Sequence, residues 1–256
     1  MDNNPKKNKP FVFVISGLDP SGKAGFLLDA LVIHTLGGEV GGAISAITVQ
    51  DFEKGYEYAE ISTDITHQMV SRIIEQIPLD AVKIGMIPTI AGAETIYNDL
   101  KNLRVPIVWD PVLQTSDGMP LVEQGDIHNI FEALAQSVTV LTPNLPEAYI
   151  LFDTDNEHLN NRFLHEMVNK YEFDGILLKG GHSQNHIVED ILVTPEKTFE
   201  YRRKRLNYNV RGTGCALSSA LATALAKGLS LDDAFIAAEK FMDEFLIERA
   251  GFPCTL

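Results

Sequence analysis

Short, almost wholly apolar runs alternate along the chain with longer segments in which apolar residues recur at helical spacing. Residues 11–16 (FVFVIS) lead straight into the turn formers Gly17 to Gly22, which predicts a buried strand ending in a loop. Residues 25–36 carry apolar groups around Asp29 and His34 and stop at Gly37 and Gly38, the pattern of a helix with a glycine end. The same reading predicts strands at 43–49, 81–84, 107–109, 138–141 and 175–178, with helices at 64–77 and 90–103. Such alternation implies an α/β fold with a mostly parallel sheet covered by helices on both faces, and ligands outside the carboxyl ends of its strands.

The last third changes character. Residues 187–193 and 198–203 flank a turn at Thr194 to Lys197 and predict an antiparallel hairpin, and two helices close the chain. In the second, Ala234, Ala238, Phe241 and Phe245 share one stripe. With no repeat, low-complexity stretch or Ser/Pro-rich linker, one domain over 11–256 is expected, preceded by a disordered polar tail at 1–10.

Composition narrows the partners. Hydrophobic residues make up 45% of the 256 and charged residues 22%, ample for a large core. A formal charge of -14 argues against general binding of nucleic acid or anionic membrane, so an anionic ligand needs a local site. The two cysteines, Cys215 and Cys254, are too few for a disulfide framework and point to a reducing compartment. No secretion signal or apolar run long enough to span a bilayer is visible, so a cytoplasmic location is expected.

The most informative stretch is residues 210–220, VRGTGCALSSA. Gly212 and Gly214 allow a tight turn and close approach to a ligand, and the Ala-rich run from Ala216 to Ala226 forms a helix directly afterwards. Free N–H groups at that helix start, with the helix dipole, make a phosphate site. Cys215 would lie in the first turn, where the dipole and any nearby cation lower a thiol pKa and suit it to accept a proton; the competing reading is a small buried hydrophobe.

Asn144 and Glu147, in TPNLPE after the strand at 138–141, suit a hydrated Mg²⁺ bridging phosphates, and equally a helix cap with Glu147 at the third helical position. Asp110 is a second candidate for ordering the metal or its water, against an Asx-Pro turn. Lys179, beside two glycines, can reach phosphate oxygens or stand exposed in its loop. The basic run from Arg202 to Arg205 either raises the potential around a phosphate donor or protects a solvated hairpin edge; Arg211 adjoins the glycine loop and is the stronger functional candidate. Asp19, Lys23, Asp29, Gln50 and Asp51 stand at or near strand ends, suited to orienting a small heterocycle or to ordinary turn and capping work.

Eight collinear segments, ISGLDPSGKAG at 15–25 with Asp29, AITVQ at 46–50, VKIGMI at 82–87, WDPV at 109–112, SDGMPLV at 116–122, LTPNLPEA at 141–148, LLKGGH at 177–182 and RGTGC at 211–215, resemble the ribokinase-like superfamily. Within it they are most similar to the hydroxymethylpyrimidine and phosphomethylpyrimidine kinases of thiamine biosynthesis. The resemblance implies a three-layer α/β/α sandwich and transfer of the ATP γ-phosphoryl group to the hydroxymethyl arm of a 4-amino-2-methylpyrimidine, with a second transfer to the monophosphate in bifunctional members. It further implies Gly212, Thr213 and Gly214 as the anion hole, and Cys215 as the group that accepts the hydroxyl proton. Asp29 and Gln50 would hydrogen-bond the pyrimidine, Met86 would pack on it, and Gly17 and Val112 would line its pocket. Asn144, Lys179, Thr213 and Arg211 would serve ATP, with Glu147 and Asp110 toward Mg²⁺. A homodimer is implied only by habit of the superfamily.

Departures cluster around the acceptor pocket and the loop: Lys23, Leu27, Phe52, the stretch 113–118 and Arg211 all differ from the usual pattern. Two alternatives stay open, a pyridoxal or pyridoxine kinase, some of which share the Gly-Thr-Gly-Cys loop, and a non-catalytic relative that binds a pyrimidine.

Overall fold

The computed structural model describes residues 9–182, 186–206 and 210–250. The expected tail therefore falls, over 1–8, outside the described residues, as does Cys254. Nine strands form one sheet in the order β3-β2-β1-β4-β5-β6-β7-β8-β9. They are β1 (Phe11–Leu18), β2 (Glu39–Gln50), β3 (Gly55–Glu60), β4 (Ala81–Ile84), β5 (Ile107–Trp109), β6 (Val140–Leu141), β7 (Gly175–Leu178), β8 (Ile187–Val193) and β9 (Thr198–Lys204). The strands from β2 to β7 run parallel, whereas β3, β8 and β9 are antiparallel to their neighbours.

Helices cover both faces. On one, α2 (Thr63–Ile74), α3 (Ile90–Leu100), α4 (Ile127–Ala135), α5 (Leu145–Leu151) and α6 (Asn161–Tyr171) share a core with Phe13 and Ile15 of β1. On the other, α1 (Gly25–Thr35), α7 (Thr213–Ala226) and α8 (Leu231–Ala250) share a core with Val12 and Val14. That double coverage is why β1 reads as an unbroken apolar run rather than an alternating one. The expected antiparallel hairpin is β8 and β9. No helix among the described residues is long and apolar enough to cross a membrane.

β3 has no counterpart in the sequence expectations. Its sequence, GYEYAE, has no fully buried residue, and the strand forms by pairing to β2 as an edge rather than by burying a face. The start of α7 also differs: the helix begins at Thr213, so Gly214 joins Cys215, as expected, in its first turn.

Chain order reverses beside β1, which lies between β2 and β4, and one fully buried ion pair sits there. Lys83 of β4 places Nζ 2.9 Å from Asp29 Oδ2 of α1, both without exposure. Asp29 also accepts from Ser16 Oγ at 3.0 Å and from Ser219 Oγ of α7 at 2.8 Å. Burial pushes the Asp29 carboxyl up, with Lys83 and the two hydroxyls working the other way. Burial also works against the Lys83 ammonium, but Asp29 overrides it and holds the lysine charged. Four elements are thereby tied at one point. Removing one member strands the other charge, so Asp29→Ala should destabilise the fold by about 3–5 kcal/mol in urea unfolding, and the double variant Asp29→Leu/Lys83→Met should recover most of that loss.

Candidate active site

The carboxyl ends of β1, β2, β4, β5, β6 and β7 and the start of α7 surround a cavity of about 410 Å³. It opens at the reversal of strand order, the place where ligands of open parallel sheets bind.

Gly212 precedes α7 with φ of 77°, a left-handed conformation that disfavours side chains. A Cβ there would collide with the Lys23 carbonyl oxygen and meet Leu28 Cδ2 at 2.5 Å. The first intrahelical bond at this end runs from Ala216 N to Gly212 O, 2.9 Å, so the amides of residues 213–215 have no partner within the helix. Thr213, Gly214 and Cys215 all line the cavity. Three amides without helical partners at the positive end of the α7 dipole therefore border the cavity.

Cys215 departs from expectation. The Gly25 amide at the start of α1 bonds to its sulfur and Lys83 lies near, yet burial outweighs both and pushes the thiol up to about 12. The side chain is therefore a protonated thiol at neutral pH, opposite to the lowering read from its helix position.

Lys179, at the end of β7, is not an exposed loop lysine. Its Nζ lies 2.5 Å from Asp110 Oδ1 and 3.8 Å from Glu147 Oε2. Burial opposes the charge, but Asp110 and Glu147 keep the ammonium protonated. Asn144 and Glu147 realise the cap reading in full: Asn144 Oδ1 accepts from the Glu147 amide at 2.9 Å, and Glu147 Oε2 accepts from the Asn144 amide at 2.7 Å. Glu147 nonetheless lines the cavity, and burial, reinforced by Asp110, lifts its carboxyl to about 7 against the pull of Lys179. Gly214 stands over this group, since a Cβ there would lie 3.0 Å from Lys179 Nζ and 3.5 Å from Asp110 Oδ2.

On the opposite wall lie Gly17, Gln50, Met86 and Val112. Gly17 presses on Met86, whose Sδ would sit 3.0 Å from an added Cβ. Asp29 corrects the sequence reading: it does not line the cavity, because all its bonding goes to Lys83, Ser16 and Ser219 beneath the floor. Lys83 lines that floor instead, and sequence reasoning missed it. The available signal was a lysine inside the four-residue apolar strand AVKI, a placement that requires a buried partner. Arg211 also lines the cavity, but its guanidinium turns to the end of β2, with Nη1 2.9 Å from Asp51 O and Nη2 3.2 Å from Gln50 Oε1. Both terminal nitrogens are thus bonded to the end of β2, on the wall that holds Gln50.

A second cavity of about 160 Å³ adjoins the first and shares Lys179, Gly181, Val210 and Thr213 with it. Its other walls are the cationic Arg203, Lys204 and Arg205 and the apolar Leu217, Met242 and Leu246. The basic run is thus not simply a solvated edge. Arg202 does stand on the surface, paired with Glu189 and Glu200, but Arg203 turns inward to Asp190, Glu239 and Asp243, and Arg205 donates to Gly181 O at 2.8 Å.

Residues 19–252 match the family described as phosphomethylpyrimidine kinase. The chain is 30% identical over 233 residues to the hydroxymethylpyrimidine/phosphomethylpyrimidine kinase of Aquifex aeolicus, covering 90% of this chain and 91% of that one. It is similar in structure to the phosphomethylpyrimidine kinase of Clostridium difficile, with TM-score 0.81, 27% identity and coverage of 93% of this chain and 100% of that one. The fold is also that of the Staphylococcus aureus pyridoxal kinase, with TM-score 0.82, 23% identity and coverage of 92% and 87%. With the family matched over residues 19–252, a relative 30% identical across nine-tenths of the chain and a ribokinase-like α/β fold, the chain belongs to the phosphomethylpyrimidine kinases.

Proposed function

We propose that the chain transfers the ATP γ-phosphoryl group to the hydroxymethyl arm of 4-amino-5-hydroxymethyl-2-methylpyrimidine, and then to the resulting monophosphate. The observation that carries this reading is the shared wall: Lys179 and Thr213 face both cavities, and the free amides of α7 continue from Thr213 into the larger one. The larger cavity takes the pyrimidine alcohol, between Gln50 and Met86. The smaller, with apolar side chains beside cations, takes the nucleotide base and directs its phosphates to Lys179 and Thr213. The pyridoxal kinase reading rests on the shared fold alone.

Phosphoryl transfer asks the protein for alignment and charge neutralisation more than for covalent help. The amides of residues 213–215 receive the oxygens of the transferring group, and Lys179 neutralises charge beside them. Gly214 leaves those oxygens within reach of the lysine. Cys215 is held as a neutral thiol, so it orients the acceptor hydroxyl without taking its proton, which passes to an oxygen of the transferring phosphoryl group as the new O–P bond forms and the bond to ADP breaks. Asn144, Glu147 and Asp110 fit a hydrated Mg²⁺, since two buried carboxylates crowd one ammonium and such an ion takes few protein oxygens. When bound, it would neutralise phosphate charge.

A coupled assay over vitamin-precursor alcohols tests the substrate: the pyrimidine alcohol should be turned over well ahead of pyridoxal, and the reverse order would overturn the reading. In the same assay Gly214→Val should cut kcat by about 10²–10³ while the pyrimidine still binds, because it fills the space before Lys179 and disturbs the anion hole.

With its pKa at about 12, Cys215 should alkylate with iodoacetamide at neutral pH more than about a hundredfold slower than an ordinary thiol, as read by peptide mass mapping. Cys215→Ala should lower kcat about 10²-fold and leave acceptor binding intact.

Burial raises the Glu147 carboxyl to about 7 from its ordinary 4.5, so within that window the folded chain holds a proton that the unfolded chain has lost. Stability should fall as pH climbs through the window, and Glu147→Gln should abolish that fall in urea melts compared at about pH 5 and about pH 8.

A further inference from the structure

Gln50 occupies the last position of β2, where the pairing with β3 slips: Val49 faces Glu57, but Gln50 faces Gly55. The irregularity re-aims the strand end, and the glutamine side chain lines the acceptor cavity. A glutamine amide offers two different ends, an oxygen that accepts and a nitrogen that donates twice, and which end meets a ligand decides what the ligand must carry.

Here a second residue makes that choice. Arg211 reaches across the cavity mouth and donates from Nη2 to Gln50 Oε1 at 3.2 Å. Its other terminal nitrogen donates to Asp51 O at 2.9 Å, and Asp117 Oδ1 lies 4.0 Å away. Asp117 is itself tied to the amide of Gly55, 3.2 Å from each carboxylate oxygen. The Arg211 side chain, 14% exposed, is thereby held through both terminal nitrogens. Arginine has donors only, so the amide must turn its oxygen to it whichever way the side chain is first drawn. The nitrogen Nε2, with no protein partner among the described residues, is what remains to meet a bound acceptor.

We propose that Arg211 is a positioning residue that locks the Gln50 amide with its N–H donors toward the acceptor, so that the acceptor edge at the end of β2 must present lone pairs. The inference rests on the proposed function for the location of the heterocycle and adds the polarity that the site demands: an unprotonated ring nitrogen or another bare acceptor atom, not an N–H. It gives Arg211 no contact with the nucleotide.

The test is a double-mutant cycle on Arg211 and Gln50, read by acceptor binding in calorimetry and by the KM of each substrate. Arg211→Ala should weaken acceptor binding about tenfold, with the KM for ATP changed less than about twofold. In a Gln50→Ala background the same substitution should add less than about twofold, because the group through which it acts is gone. Gln50→Glu, which keeps a partner for Arg211 but offers only acceptors to the cavity, should bind the pyrimidine at least about tenfold more weakly. Arg211→Lys retains a donor and should recover part of the loss, and it carries the cycle should Arg211→Ala not fold. Additive effects, a rise in the ATP KM without weakened acceptor binding, or wild-type affinity in Gln50→Glu would overturn the inference. Binding without turnover in the wild-type chain would sink the proposed kinase reaction while leaving this cycle fully readable.

Discussion

Two helix starts meet in this protein with no room for a side chain between them. A Cβ on Gly212 would strike the Lys23 carbonyl just ahead of α1, and a Cβ on Gly25 would strike the Gly17 carbonyl. Both glycines hold positive φ. Because Gly212 is bare the beginning of α7 can settle against the beginning of α1, with the Gly25 amide on the Cys215 sulfur, and because Gly25 is bare α1 can start close against the end of β1. The cavity-lining amides of α7 and the placement of Thr213 between two cavities follow from the first of these contacts.

Around this contact the protein gathers charge where water is scarce. Lys83, Asp29, Asp110, Glu147 and Lys179 are all buried, and each anion has a lysine near it. Burial drives Asp29, Glu147 and Cys215 toward their neutral forms, while the lysines stay charged because the carboxylates face them. The site thus sets two ammonium groups and bare amides among three buried carboxyl groups, two of which burial pushes toward neutrality, and their mutual interactions are stronger for being out of water.

The two lysines divide the work by depth. Lys83 lies in the floor, without exposure to solvent, and joins β4, α1, β1 and α7 through Asp29 beneath it. Lys179 lies at the rim of both cavities and meets its carboxylates from the end of β7. The first is a structural charge whose loss is felt in stability. The second stands where a ligand entering either cavity would meet it.

Much of this was legible in the chain. The strands at 81–84, 107–109 and 175–178 were readable because parallel strands covered on both faces must be continuously apolar. The cap at Asn144 and Glu147 was readable because its bonds are local, three residues apart. The turn at Gly212 into the start of α7 was readable for the same reason, since it depends on one short stretch of backbone. Local spacing therefore determined the fold class, the helix starts and the residue types at the site. Tertiary structure decided what depends on distant partners: β3 forms only by pairing with β2, Asp29 is drawn under the floor by Lys83 54 positions away, and Arg211 turns to Gln50 across 161 positions. The thiol of Cys215 belongs to the same class. Its helix position is a local fact that favours the thiolate, but its protonation is set by desolvation, which sums over every neighbour that excludes water and can be known only once the chain has folded.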